Sequence, residues 1–138
     1  MREIKFRGKD EQGQWHYGNL VRYTEDDGEQ VTCIVSTARC EISAELVFVP
    51  VDEKTVGQFT GLQDDDGNDM YEGDVIRVFS LWYNGNCYIG VHNAQFAIFA
   101  ADNGALLGYF RGKAPLRHII GNIYDNPELM KEYSAYDG

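Results

Sequence analysis

Basic residues are scarce in this chain: 12 Lys and Arg stand against 22 Asp and Glu, a net charge of −10 over 138 residues. Such a surface repels phosphate backbones, so direct nucleic-acid binding is disfavoured. No apolar run approaches the ~18 residues of a membrane span, and no charged-then-apolar leader opens the chain. The expected location is the cytoplasm, without membrane contact. Cysteine is equally thin. Cys33, Cys40 and Cys87 have no C-x-x-C pairing and are expected as free, mostly buried thiols. GxGxxG, Walker and GxSxG motifs are missing, and His16 and His118 stand alone without zinc spacing. No cofactor is expected.

What the chain does have is aromatic and glycine content: nine Tyr, seven Phe, two Trp and fifteen Gly. Short apolar or alternating runs punctuated by Gly describe a mainly β protein. Ile4 and Phe6 alternate with charged residues. WHYGNLVRY then places Trp15, Tyr17, Val21 and Tyr23 on one face, and QVTCIVST follows the Asp26-Asp27-Gly28 turn. Pro50 marks 45–51 as an edge or strand end, and Asp52 can cap a single helical turn. From residue 75 the strands shorten and crowd. VIRVFSLWY is apolar on both faces, Asn84-Gly85 reads as a hairpin turn, and CYIGVH, AQFAIFA and ALLGYF follow. The expected fold is β-rich: N-terminal hairpins over 1–50, a small SH3-like or barrel-like part over 56–125, and one short helix over 126–133. Asn126 would cap that helix and Pro127 would open it, within a single domain.

Between Asp64 and Asp74 the chain carries six carboxylates. A calcium loop beginning at Asp64 would need Gly at its sixth position and Glu at its twelfth, where Asp69 and Val75 stand. Beginning at Asp65 or Asp66 fails sooner, at Gly67 and Met70. DDDGND therefore reads as a polar turn with solvated carboxylates, and no metal ligand is assigned. Gly73-Asp74 is a separate signal. Glycine permits a tight approach to the VIRV strand, and Asp can accept N–H groups of the turn. Cys87, His92 and Asp102 could be imagined as a catalytic trio, but Cys87 and His92 lie five apart on one strand and point to opposite faces. No catalytic residue is assigned.

The run TVGQFTGLQDDDGNDMYEGDVIRV, with IKFRG, WHYGNL and IIGNIYDNPELM, resembles the YopX-like family of small phage and prophage proteins, over residues 2–130. The resemblance implies a β-rich accessory protein with no catalytic or cofactor residue to carry over. Thr60, Gly61, Gly73, Asp74, Gly121, Asn122, Tyr124 and Pro127 match the family pattern and read as turn, cap and packing residues.

Three functions are compatible with this reading. The first is a non-enzymatic binding or assembly module that forms homo-oligomers, with a host or phage protein as a further partner. Its self-association is argued from the two-faced apolar strands, and Trp82 and Tyr83 are its candidate partner-binding aromatics. The second is an acidic DNA mimic that occupies a host nucleic-acid-binding protein. The third is a metal-dependent hydrolase using the Asp64–Asp74 stretch.

Overall fold

In the computed structural model, residues 3–39, 44–79, 83–110 and 116–130 are described. Trp82, Cys40 and the last part of the expected helix, 131–133, lie outside them. The chain divides into two compact units, Met1–Phe59 and Thr60–Gly138.

In the first unit, β1 (Phe6–Lys9), β2 (Trp15–Thr24), β3 (Gln30–Arg39) and β4 (Ala44–Pro50) form an antiparallel meander. A 3₁₀ turn at Glu53–Thr55 follows, capped by the Asp52 carboxylate, which accepts the Lys54 N–H at 3.0 Å. Next, β5 (Gly57–Gln63) pairs with β1 and crosses the division, with β6 (Asp69–Tyr71) as the sixth strand of the order β4-β3-β2-β1-β5-β6. The β1–β2 turn is held by Asp10. Its carboxylate accepts the Gln12 and Gln14 N–H groups at 2.9 Å and meets His16 Nε2 at 2.7 Å. Those contacts, His16 first, hold the Asp10 carboxyl below its ordinary pKa.

Burial in this unit does not follow the aromatic face of β2, since Tyr17 and Tyr23 are exposed. The central strand β3 is the buried one, from Thr32 through Val35. Arg7 of β1 lies over the Trp15 ring at 4.6 Å, joining the IKFRG and WHYGNL segments through a cation–π contact.

In the second unit, β7 (Asp74–Phe79), β8 (Asn84–His92), β9 (Gln95–Ala100), β10 (Leu106–Tyr109) and β11 (Leu116–Asn122) form an antiparallel sheet of order β10-β9-β8-β7-β11. Its core is Met70, Ile76, Val78, Cys87 and Ile89, with Leu62, Tyr83, Ile98, Phe110 and Ile119 packed against it. The β-rich expectation therefore holds, as two antiparallel sheets.

Three local expectations are corrected. Asn84 and Gly85 are not a turn: they sit in β8, paired with Phe79 and Val78 of β7. The following hairpin, between β8 and β9, turns at Asn93 and Ala94, both at positive φ (51° and 61°). The C-terminal helix is only a 3₁₀ turn over 127–130 among the described residues. Asn126 bends the chain back, its side-chain oxygen accepting the Asn122 N–H at 3.2 Å, and its carbonyl accepts the Leu129 N–H at 3.0 Å, a three-residue closure.

The two-faced strand also has a different cover. Val75 and Ile76, neighbours on opposite faces of β7, are both 0% exposed within the single chain. No second subunit is needed to bury them.

Candidate functional site

The acidic turn after β5 is a dense polar cluster built around Asp64. Asp64 is 6% exposed. Its Oδ1 accepts the N–H groups of Asp66 (3.0 Å) and Asn68 (2.8 Å), which closes the turn on itself. Its Oδ2 reaches across to β11 and accepts the Ile119 N–H at 3.0 Å. Burial pushes the Asp64 carboxyl up, but the N–H bonds from Ile119, Asn68 and Asp66 outweigh it and leave the pKa below the ordinary value.

Its neighbours continue the seam. Asp65 Oδ2 accepts the Arg117 N–H at 2.8 Å, and the Asp65 N–H donates to the Arg117 carbonyl at 3.1 Å. Asp66 Oδ2 meets His118 Nδ1 at 2.9 Å. Because β11 pairs with β7 along one edge, alternate peptide groups at Arg117 and Ile119 point the other way. Carboxylates and one peptide N–H meet them there. Three consecutive aspartates thus serve three consecutive residues of β11. The expectation of solvated turn carboxylates fails at Asp64 and holds only for the side-chain exposure of Asp65 and Asp66.

Four of the family-pattern residues, Thr60, Gly61, Gly73 and Asp74, lie in β5 and at the entry to β7. Gly73 takes φ +94°, which a Cβ would strain. Its N–H donates to the Ile89 carbonyl at 2.8 Å and its carbonyl accepts the Ile123 N–H at 2.9 Å, so one glycine links β8 with the segment after β11. Asp74, buried, accepts the Tyr71 N–H at 2.7 Å, the turn-capping role expected of it. Thr60, also buried, donates its hydroxyl to the Met70 carbonyl at 2.9 Å and accepts the Leu62 N–H at 3.2 Å. Gly61 follows it in β5 at φ +87°.

Near the end of the described chain, Asn122 Oδ1 accepts the Tyr124 and Asp125 N–H groups at 3.0 and 2.9 Å. A Cβ on Gly121 would collide with the Asn126 side chain and with Leu129, so glycine is required there by close approach. Pro127 opens the 3₁₀ turn.

The catalytic trio weighed from the sequence is not assembled. Cys87 is fully buried in the core, and burial pushes its thiol up to about 12. His92, at the other end of β8, is exposed and meets the Tyr109 hydroxyl at 2.7 Å. Tyr83 packs against the core, with its hydroxyl donating to the Asn86 carbonyl at 3.4 Å. Among the described residues, no three His, Cys, Asp or Glu side chains converge as metal ligands, and no helix is long and apolar enough to cross a membrane.

Sequence reasoning missed one feature. Leu46, Val47 and Phe48, consecutive on β4, are 66%, 37% and 54% exposed. The signal was present: a short apolar run closed by proline at a sheet edge. Its exposure depends on the strand order, which one run does not reveal.

A family model described as "YopX protein" matches residues 5–131. Among solved structures, the chain is similar to the crystal structure of protein EF1440 from Enterococcus faecalis. The TM-score is 0.52 at 19% identity, covering 94% of this chain and 99% of that one. At that identity the likeness is one of fold. No curated protein matches.

Proposed function

Because the chain belongs to the YopX family, we propose that it acts as a non-enzymatic binding and assembly module. In this reading it is a phage- or prophage-encoded accessory protein working in the cytoplasm of a bacterial host. The observation that carries it is the division of labour between side chains. Asp64, Asp65 and Asp66 are engaged with backbone or histidine of β11, while large apolar side chains stand exposed on β4. Exposed contiguous apolar groups favour protein partners.

The engaged carboxylates weigh against the two alternatives. A hydrolase needs ligands free to converge on an ion, and a DNA mimic needs outward carboxylates in a phosphate-like double row. Affinity capture from host and phage-infected lysates, with light scattering of the free protein, tests the proposal. A reproducible protein partner or a defined oligomer is the expected result. Turnover of a phosphoester or peptide substrate that depends on Asp64–Asp74 would overturn it.

A further inference from the structure

The sheet of the first unit ends at β4, whose far edge has no neighbouring strand among the described residues. Which peptide groups point outward follows from one bond and the register. Val51 donates its N–H to the Thr32 carbonyl at 2.9 Å, and the β3–β4 ladder runs without a shift from Cys33↔Pro50 to Arg39↔Ala44. In an antiparallel ladder inward and outward residues alternate. Val51, Val49 and Val47 therefore face β3, while Pro50, Phe48 and Leu46 present their backbone outward. Proline occupies an outward position, where a missing N–H costs no bond to β3. Natural edge strands are usually blunted by lysine, inward charge or a bulge. Here the outward peptide groups nearest the strand centre belong to Leu46 and Phe48, both with exposed side chains.

We infer that β4 pairs antiparallel with β4 of a second copy, about a two-fold axis through Val47. This names the partner of the binding-module reading and rests on it. Three registers keep outward groups opposite outward groups near the strand centre. Centring on Phe48 sets Leu46 against Pro50, which has no N–H to give. Centring on Leu46 leaves Phe48 against Ala44 and brings the two Glu45 carboxylates into diagonal proximity. Centring on Val47 sets Leu46 of one copy against Phe48 of the other, twice. That arrangement exchanges four N–H···O bonds and gathers four large apolar side chains on one face. It also separates the Glu45 carboxylates by four residues along the strand, ~13 Å, beyond the ~8 Å screening length of physiological salt. Self-complementarity of this kind is what a two-fold interface requires.

One strand edge buries less than the ~800 Å² per partner of a standard interface, so the pairing is weak and concentration-dependent. Each copy carries a charge of −10. Pairing therefore strengthens with added salt, whereas binding to a basic partner weakens.

Sedimentation equilibrium of the full chain, at low and high salt into the high-micromolar range, tests the pairing. Dimer that grows with concentration and salt is expected, and Phe48→Lys should weaken it at least about tenfold. Register is read by cysteine cross-linking in a Cys40→Ser background. Val47→Cys lies on the axis at a non-hydrogen-bonded pair and should be oxidised to dimer by diamide about tenfold faster than Leu46→Cys, whose thiols are diagonal. Equal cross-linking rates, or a monomer at every concentration and salt, overturn the inference. Capturing lysate proteins on wild-type and Phe48→Lys chains separates the two readings. A monomeric wild type that retains a specific partner removes self-pairing and leaves the module reading standing. A monomer that retains nothing removes both.

Discussion

Asp64 and Ile119 stand 55 residues apart in sequence, and the carboxylate of one accepts the backbone N–H of the other at 3.0 Å. With Asp65 on Arg117 and Asp66 on His118, this bond makes the acidic turn the cover for one edge of β11. The carboxylates do by side chain what another strand would do by backbone.

Removing Asp64 should therefore cost far more than a turn residue normally does. Asp64→Ala strips a charged acceptor from three N–H groups, two of which water can still reach, and is expected to destabilise by about 2–4 kcal/mol. Asp65→Ala, which removes one bond at an exposed position, should cost under about 1 kcal/mol. Urea unfolding of both variants checks the ratio; equal losses would remove Asp64 from its central role.

The same carboxylate sets an acid limb. The folded pKa of Asp64 is lowered, so its contribution is fully present above the ordinary value of 3.8 and is lost as pH falls through the folded pKa. His118 works in the opposite direction. Its pKa is raised by the Asp66 hydrogen bond first; burial lowers it next, and the charges of Asp66, Asp65 and Asp64 raise it further. That contribution is fully present below 6.5 and fades as pH rises through the folded pKa. Stability measured against pH should lose part of its acid limb in Asp64→Asn. His118→Gln should lose only the weaker decline that begins above pH 6.5.

Gly73→Ala should destabilise by about 1–2 kcal/mol, because φ +94° penalises a Cβ and both peptide groups of the residue are bonded in place. A loss comparable with Asp65→Ala would mean that this backbone relaxes freely.

Ala94 is an opportunity rather than a constraint. At φ +61° a left-handed alanine costs about 1–2 kcal/mol, while glycine returns about 0.4–1 kcal/mol through the unfolded chain. Ala94→Gly is therefore expected to stabilise by about 0.5–1 kcal/mol in thermal melts. Destabilisation would show that the hairpin tolerates no change there.

Calcium or magnesium at millimolar concentration should move the melting temperature by less than about 1 °C, since an ion stabilises only by binding the native state and these oxygens already accept N–H groups. A rise of several degrees would reopen the acidic stretch as an ion site.

Strand composition, the Asp52 cap, the edge character of Pro50 and the Gly73-Asp74 junction were legible because each depends on local periodicity or backbone chemistry. The Asn84-Gly85 dipeptide misled because its turn propensity yielded to pairing with β7, while the next reversal, between β8 and β9, is made by two non-glycine residues, Asn93 and Ala94, in a glycine-like conformation. Two facts depended on non-local partners and were out of reach: that the aspartates face β11, and that Val75 and Ile76 are covered without a second subunit. Periodicity tells which faces are apolar, not what lies opposite.

The seam between residues 64–66 and 117–119 also has a temporal meaning. It closes only after the intervening strands β6 to β10 have been traversed, and closing a long loop exacts its entropy before any bond rewards it. The seam, made by side chains of one turn on an already paired strand, is expected to form after the rate-limiting step. Loss of Asp64 should then leave the refolding rate nearly unchanged and speed unfolding, tilting one arm of the chevron and not the other. In that sense the aspartates act less as a guide for the folding chain than as a latch on the finished one.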